Sequence, residues 1–156
     1  MKSLKENGID HVGYVVADFE KTVQHIKDYY GIDDFKFWEF NPLKAWAYGK
    51  PVDEYKLKVG MATINDGGAC IEIITPITEY GYHYDFIKSG KNGLNHLCFK
   101  VDDYPYWREH FIEKCGEFLF EAEIEDDLVG YRRCFYADDP VAGMVYEIRE
   151  IPHFRK

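Results

Sequence analysis

The chain has 156 residues, of which 46% are hydrophobic and 17% aromatic, enough for the substantial core of one domain. Its formal net charge of −9 and pI near 5.1 argue against nucleic acid or an anionic membrane as a partner, because both attract a basic face. No apolar run is long enough to span a bilayer, and no signal peptide is evident.

The first half of the chain predicts a βαβββ module over residues 8–76. A β-branched and aromatic run over residues 9–16 predicts the first strand. Asp18 is a good N-cap, apolar residues recur at helical spacing through Tyr30, and Gly31 ends the helix. Three more strands are predicted over residues 35–40, 56–64 and 69–75, with a loop at 41–55 and a hairpin turn at 65–68.

The second half, residues 93–152, repeats this order after a connector at 77–92 that carries a short predicted helix. A strand over residues 94–101 precedes a helix that starts after Asp103 and ends at Gly116. The last three strands are predicted over residues 117–122, 131–137 and 144–151. We therefore predict an α+β fold: one domain, residues 1–156, of two tandem βαβββ modules whose sheets form one cupped, barrel-like site.

The strongest internal repeat aligns Gly8–Asp18 with Gly93–Asp103 without a gap. His11 then meets His96, 85 positions later. Strict strand alternation places each histidine on one face with the residues two positions away, which are Ile9 and Gly13 for His11 and Leu94 and Cys98 for His96.

A second repeat aligns Ala69–Pro76 with Met144–Pro152, so that Glu72 meets Glu147 after 75 positions. Each module thus carries one histidine and one glutamate on otherwise apolar strands. Two modules related by a pseudo-twofold would bring both pairs onto one concave surface. Two imidazoles and two carboxylates suit zinc, nickel, cobalt, manganese or iron, with positions left open for water or substrate.

The repeated segments resemble the vicinal oxygen chelate superfamily, and within it the branch of glyoxalase I and methylmalonyl-CoA epimerase. The segments that carry the resemblance are Ile9–Tyr14, Cys70–Pro76, Gly93–Asp103 and Val145–Ile148. The resemblance implies an isomerase, epimerase or lyase that moves a proton next to a carbonyl on a small acyl thioester or 2-oxoaldehyde–thiol adduct. It also implies one divalent metal per chain, held by His11, Glu72, His96 and Glu147, with Glu147 and Glu72 as catalytic carboxylates.

Other side chains are predicted to bind the substrate. The epimerases carry a second carboxylate where Lys58 stands here, which is a departure that questions two-base epimerisation and suits an anionic substrate group. Arg132 or Arg133, of which we select Arg133, is predicted to bind a carboxylate or phosphate. Aromatic candidates for an apolar pocket are Tyr14, Trp46, Tyr48, Tyr131 and Phe135. The histidines outside the quartet, His25, His83, His110 and His153, are predicted to lie at the surface.

The expected partner is a small-molecule substrate, and a homodimer is expected, with the site formed either within one chain or across two. The four cysteines form no C-x-x-C pair, so we expect reduced, mostly buried thiols in a cytoplasmic protein. Two other functions remain open: a non-catalytic small-molecule or antibiotic-binding protein, and an iron-dependent ring-cleaving dioxygenase. The intact quartet argues against the first, and Glu72 as a fourth ligand argues against the second.

Overall fold

The computed structural model describes residues 1–65 and 68–156. Its elements follow the predicted order of two repeats joined by a connector. The strands are β1 (Ile9–Val15), β2 (Lys36–Phe40), β3 (Lys44–Ala47), β4 (Lys50–Val52), β5 (Leu57–Thr63), β6 (Cys70–Pro76), β7 (Gly93–Val101), β8 (Phe120–Asp126), β9 (Gly130–Asp139) and β10 (Met144–Glu150). The α-helices are α1 (Phe19–Tyr30), α2 (Tyr82–Lys88) and α3 (Tyr104–Cys115).

These strands join in one curled sheet in the order β2-β5-β6-β1-β7-β10-β9-β8-β3-β4. At its centre β1 and β7, the first strands of the two repeats, pair antiparallel. On either side β6 lies parallel to β1, and β10 lies parallel to β7. Each repeat therefore supplies four adjacent strands, and an approximate twofold axis runs between β1 and β7. The hairpin of β3 and β4 comes from the first repeat but extends the half of the sheet that the second repeat forms. The predicted α+β fold of two βαβββ modules around one cupped sheet is confirmed.

The two faces of the sheet differ in what covers them. On one face α1 packs against β6 through Val23 and Ile73, and α3 packs against β9 through Trp107 and Phe135. We call this helix-covered side the outer face and the opposite side the inner face. The inner face carries its own buried cluster, with α2 against it, and the larger members of that cluster are Tyr55, Leu57, Ile74, Phe120 and Tyr136.

Both long helices begin and end where the sequence predicts. Asp18 Oδ1 accepts a hydrogen bond from the backbone N–H of Lys21 at 3.1 Å, and Gly31 ends α1 at a φ of 68°. In the second repeat Asp103 Oδ1 accepts from the backbone N–H of Tyr106 at 3.2 Å. Because the first N–H groups of a helix have no partner within it, such caps let the local sequence set the helix boundary.

The prediction of a loop over residues 41–55 is wrong. The segment forms the hairpin of β3 and β4, and β3 pairs with β8 at the edge of the second half. Its turn is Tyr48–Gly49, with φ values of 50° and 79°, the conformation of a tight two-residue hairpin. Pro51 lies on the edge strand β4, where a missing N–H is tolerated. The partner strand is distant in sequence, so local turn signals alone do not reveal the pairing.

The remaining differences are small. The strand predicted over residues 117–122 begins later and runs longer, as β8. The hairpin turn predicted at residues 65–68 includes residues 66 and 67, which lie outside the described residues. All four cysteines are free thiols, and two of them, Cys98 and Cys134, are buried. Within the described part of the chain, no helix has the length and apolar character needed to cross a membrane.

Candidate metal centre

Four side chains from the central strands meet on the inner face. They come from β1, β6, β7 and β10, all within one chain, and all four are buried: His11, Glu72, His96 and Glu147. His11 Nε2 lies 3.3 Å from His96 Nε2, 3.2 Å from Glu72 Oε1 and 3.1 Å from Glu147 Oε1. His96 Nε2 lies 3.3 Å from each of the same two carboxylate oxygens. The ligand-type atoms of the quartet therefore converge on one small volume.

A β-bulge beside each histidine controls how its ring is held. In the β1–β7 pair, Ile9 stands opposite Phe99 and His11 opposite Cys98, so Asp10 is an extra residue without a partner. A bulge of this kind re-aims the side chain of the extra residue. The carboxylate of Asp10 accordingly lies beside the ring of its neighbour, and Asp10 Oδ2 accepts a hydrogen bond from His11 Nδ1 at 2.6 Å.

The second bulge lies in β7 and is formed by Asn95. Gly13 stands opposite His96 and Tyr14 opposite Leu94, which leaves Asn95 as the extra residue. Asn95 Oδ1 accepts a hydrogen bond from His96 Nδ1 at 2.9 Å, so both histidines are oriented by the residue before them. The bulges also break the strict alternation expected from sequence, because Asp10 and Asn95 lie beside the rings of the histidines that follow them.

These hydrogen bonds determine the tautomers of both histidines. With Nδ1–H donating to Asp10 or Asn95, the neutral ring of each histidine turns the Nε2 lone pair toward the other ring. Glu72 Oε1 is buried and accepts no hydrogen bond from the described residues, although both Nε2 atoms lie within 3.3 Å. In this neutral form the quartet is a cluster of electron-pair donors, which is the chemistry of a cation site. In the metal-free protein the same Nε2 atoms are where protons bind instead.

The spacing of the quartet also fits a metal ion. Zinc-type ions bind imidazole nitrogen and carboxylate oxygen at about 2.0–2.2 Å, which separates neighbouring ligand atoms by roughly 2.8–3.6 Å, from the octahedral to the tetrahedral angle. The five separations of 3.1–3.3 Å fall in that range, and all four ligand atoms lie within 4.8 Å of one another. The residues present therefore fit a divalent cation.

A second, overlapping cluster of metal-binding residue types consists of Asp10, His11 and Cys98. Burial, with the charge of Glu147, raises the pKa of the Cys98 thiol to about 12, so it is protonated at neutral pH and a poor ligand. Asp10 Oδ1 also accepts a hydrogen bond from Arg149 Nη2 at 3.2 Å. Asp10 is therefore committed to orienting His11 and to pairing with Arg149, which is a supporting role.

The ionisation of the quartet is strongly coupled. Burial lowers the pKa of His11 and His96, but the carboxylates of Glu72 and Glu147 outweigh it and raise both values above the ordinary range. Burial likewise raises the pKa of the two glutamates, and the adjacent imidazoles reverse this and lower it. At neutral pH both carboxylates are therefore charged, and protons compete with any cation for the imidazole nitrogens.

Gly13 explains the spacing of the first motif. A Cβ atom at this position would lie only 2.1 Å from the ring of His96, so the His-x-Gly sequence leaves the space that the second histidine needs. The corresponding residue in the second repeat is Cys98, which is buried and stands opposite His11. The glycine of the His-x-Gly motif in the first module is therefore required by His96 of the second module.

Two aromatic residues near the quartet were missed. Tyr136 comes from β9 on the inner face, and its hydroxyl oxygen lies 3.4 Å from His96 Nε2. His83, predicted to lie at the surface, is fully buried at the start of α2, so that prediction is wrong. Tyr136, like the quartet residues, is a polar group in an apolar strand, but no matching residue in the first module marks it as part of a repeat. The burial of His83 depends on how α2 packs across the inner face, which the sequence around His83 does not indicate.

Two of the predicted substrate-binding residues lie on the outer face near α1. Tyr14 packs against the cluster that contains Phe19. Lys58 pairs with Glu20 of α1, and its ammonium nitrogen lies 4.7 Å from the centre of the Phe19 ring. The structure does not bring either side chain to the quartet, because side chains alternate between the two faces along a strand and these two face α1.

The other two also lie on the outer face, in β9. The Tyr131 hydroxyl donates a hydrogen bond to Glu123 Oε1 at 2.7 Å. Arg133 binds both carboxylate oxygens of Glu150, at 2.9 and 2.6 Å. Phe135, on the same face, is part of the core beneath α3. None of these side chains lies beside the quartet, and Arg133 lines the larger of the two cavities described below.

A cavity of about 510 Å³ adjoins the quartet through Asn95 and Val145. Its wall combines aromatic surface with charges of both signs, from Lys91, Asp85 and Asp138. A larger cavity of about 670 Å³ is lined by residues such as Trp46, Arg108 and Arg133. No quartet residue lies in the wall of either cavity, but the smaller one includes Asn95, which holds the ring of His96.

Comparisons with known proteins agree with this architecture. Residues 10–132 match the family model described as Glyoxalase/Bleomycin resistance protein/Dioxygenase superfamily. No curated protein matches the sequence significantly. Among solved structures, the chain is similar to a variant of the methylmalonyl-CoA epimerase of Streptomyces coelicolor in complex with 2-nitronate-propionyl-CoA, with 19% identity and a TM-score of 0.62 over 91% of this chain and 95% of that chain.

Two further solved structures show the same fold. The methylmalonyl-CoA epimerase of Mycobacterium tuberculosis has 18% identity and a TM-score of 0.61 over 94% of this chain and 88% of its own. A variant of 4-hydroxymandelate synthase from Streptomyces coelicolor has 17% identity and a TM-score of 0.56 over 95% of this chain and 50% of its own. Identities this low establish the fold and leave the reaction open. Because the family model covers most of the sequence, this chain belongs to the Glyoxalase/Bleomycin resistance protein/Dioxygenase superfamily.

Proposed function

We propose that this chain is a divalent-metal-dependent enzyme that moves a proton at a carbon next to a carbonyl group. The observation that carries the proposal is the convergence of two imidazole nitrogens and two carboxylate oxygens at 3.1–3.3 Å in a buried site. We propose a small acyl thioester or a 2-oxoaldehyde–thiol adduct as the substrate. The reaction is then an epimerase-type isomerisation or a glyoxalase-type lyase reaction.

In this proposal one ion is held by His11, Glu72, His96 and Glu147. When bound, it supplies Lewis acidity that polarises a carbonyl oxygen and stabilises negative charge beside it. Zinc, nickel, cobalt, manganese and iron all suit this donor set. Asp10 and Asn95 hold the two rings in the required tautomer and orientation, as the outer partners of metal-bound histidines commonly do.

The chain offers two carboxylates as the base. Glu147 and Glu72 are charged at neutral pH, because the imidazoles beside them lower their pKa values, and a base must be in that form. Both lie on the inner face, and the wall of the 510 Å³ cavity includes Asn95 and Val145, which neighbour His96 and Glu147 along their strands. We propose Glu147 as the group that accepts the proton, with Glu72 as the second candidate.

Two other classes remain as alternatives. A ring-cleaving dioxygenase would need iron and three ligands, two histidines and one carboxylate, with the remaining positions open. Glu72, whose oxygen is as near to both imidazoles as that of Glu147, disfavours this class. A non-catalytic binding protein would not need four buried ligand-type atoms that converge on one small volume.

Metal analysis tests the first part of the proposal. We expect about one equivalent of divalent metal in the wild-type protein and none in His96→Ala. His25→Ala, which removes an exposed histidine, serves as the matched control and should keep its metal. Equal metal content in wild type and His96→Ala would refute the assignment of the site.

Solvent-deuterium exchange tests the reaction. The metal-loaded protein is incubated in deuterium oxide with methylmalonyl-CoA or with the adduct of methylglyoxal and a thiol. Incorporation at the carbon next to the carbonyl, lost in Glu147→Gln, is the expected result. Exchange into neither compound by the loaded protein would exclude both proposed substrate classes. The homodimer, the cytoplasmic location and the module boundaries at 8–76 and 93–152 stay predictions.

A further inference from the structure

A chain of hydrogen bonds leads through the connector helix α2 to the quartet. It starts at Tyr55, just before β5, passes through His83 of α2 and ends at Tyr136, and all three side chains are buried. The Tyr55 hydroxyl lies 2.8 Å from His83 Nδ1, and the Tyr136 hydroxyl lies 3.2 Å from His83 Nε2. The same Tyr136 hydroxyl lies 3.4 Å from His96 Nε2, one of the converging ligand-type atoms.

The protons of this chain have one consistent arrangement. Tyr55 is 1% exposed, and its hydroxyl oxygen already accepts the backbone N–H of His83 at 3.5 Å. Within the described residues, the acceptor available for its own proton is His83 Nδ1. Burial, helped by the nearby His96, lowers the pKa of His83 to about 3, so its ring is neutral and carries its single proton on Nε2. His83 Nε2–H therefore donates to the Tyr136 oxygen.

This arrangement leaves the Tyr136 proton free to point at the quartet. Its other neighbour among the described residues is His96 Nε2, at a long 3.4 Å. A cation held by the quartet would occupy the lone pair of that nitrogen, and the Tyr136 proton would then need a different acceptor.

We propose that Tyr136 is a catalytic residue whose hydroxyl donates a hydrogen bond to the substrate oxygen that gains negative charge during proton abstraction. His83 and Tyr55 are positioning residues, which direct that hydroxyl by occupying its acceptor side. This inference rests on the function proposed above. No covalent step is involved, since Tyr136 keeps its proton and stabilises charge through a preorganised donor.

The tautomer of His83 is the first test, and it needs no metal. Long-range proton–nitrogen correlation spectra of the full-length, nitrogen-15-labelled protein distinguish Nε2–H from Nδ1–H imidazole, and the signals of His83 are assigned by their absence in His83→Phe. We expect a neutral ring with its proton on Nε2. Because the pKa of His83 lies far below neutrality, these signals should not change between about pH 5 and 8. An Nδ1–H ring would reverse the direction of the chain and overturn the proposal.

Binding of an oxyanion probe to cobalt-loaded protein is the second test. Acetohydroxamate, a planar anion with two oxygens, is titrated while the visible spectrum of the cobalt is followed. We expect Tyr136→Phe to bind cobalt as wild type does but acetohydroxamate about 10- to 100-fold more weakly, the usual effect of removing a donor to a charged group. His83→Phe and Tyr55→Phe keep the hydroxyl but not its orientation, so they should weaken binding less.

Tyr104→Phe is the matched control, because it removes a buried hydroxyl that has no hydrogen-bond partner among the described residues and lies under α3. It should bind acetohydroxamate like wild type. Unchanged acetohydroxamate affinity in Tyr136→Phe would overturn the proposal, and so would loss of cobalt, which would make Tyr136 a support for His96. A wild-type protein that takes up no cobalt would instead refute the proposed function, and the nitrogen spectra would still decide the direction of the chain.

Discussion

Asp10 and Asn95 occupy equivalent bulges in the two paired central strands, and each accepts a hydrogen bond from Nδ1 of the histidine that follows it. One is charged and the other neutral. Asp10 is in turn paired with Arg149, whereas Asn95 Nδ2 donates to the Tyr82 hydroxyl at 2.9 Å. The two histidines of the proposed site are therefore held in the same orientation by groups of different charge, which makes their contributions separable by experiment.

Removing Asp10 should weaken metal binding. In the wild type the Asp10 carboxylate orients the His11 ring and makes it more basic, and Asp10→Ala removes that carboxylate. Loss of such a partner commonly lowers metal affinity by roughly 10- to 100-fold. Competition with a chromophoric chelator measures the change. Asp33→Ala, at an exposed acid, is the control for net charge. Wild-type affinity in Asp10→Ala would show that the hydrogen bond is dispensable.

A methyl group at Gly13 should displace the second histidine. Gly13→Ala places a carbon 2.1 Å from the His96 ring, so we expect loss of metal and destabilisation of about 1–3 kcal/mol from the steric conflict. The double variant Gly13→Ala/His96→Ala removes the obstructing ring. If the conflict is with that ring, the cost of Gly13→Ala in chemical denaturation should largely vanish in the double variant. Equal costs in the two backgrounds would place the strain elsewhere.

The metal-free protein should be most stable in mildly acidic solution. The carboxylates raise the pKa of His11 and His96 in the folded state, so their protonation stabilises the fold below about 6.5 and is lost as the pH rises through the folded-state values. The lowered pKa values of Glu72 and Glu147 contribute stability above about 4.5, which is lost as the pH falls through their folded-state values.

Thermal unfolding of chelator-treated protein across this range should therefore show a maximum between about pH 4.5 and 6.5. Added zinc should move the maximum to higher pH, because the metal replaces the protons on the imidazoles. A metal-free protein whose unfolding temperature rises steadily from neutral to alkaline pH would contradict the raised histidine pKa values.

Lys58 should have no part in the reaction. Its ammonium group lies on the outer face beside Glu20 and Phe19, so Lys58→Ala should leave metal content and deuterium exchange unchanged. Both partners of this ion pair are solvent-exposed at their tips, and its loss should alter stability little. The variant to compare with it is Lys91→Ala, which removes the ammonium group in the wall of the 510 Å³ cavity. A tenfold fall (about 1.4 kcal/mol) in exchange for Lys58→Ala alone would return this residue to the site.

Local patterns predict much of this fold. Helix limits follow from Asp18 and Gly31, because a cap acts on backbone groups within a few residues of itself. The repeat predicts two equivalent modules, and the structure pairs their first strands across an approximate twofold. The hairpin of β3 and β4 was missed because its partner β8 is remote in sequence. Local sequence specifies where a strand can form, but whether the strand pairs depends on an edge strand elsewhere in the chain.

Spacing and periodicity along the chain are enough to identify the repeated His and Glu positions and the order of the main elements. Which side chains share a face depends on pairing between strands that are distant in the chain. The bulges at Asp10 and Asn95 shift the alternation by one residue, and they exist only when β1 and β7 pair. His83 reaches Tyr136 only because α2 crosses the inner face. The face on which a side chain lies and the position of a helix depend on long-range contacts, which the local sequence does not reveal.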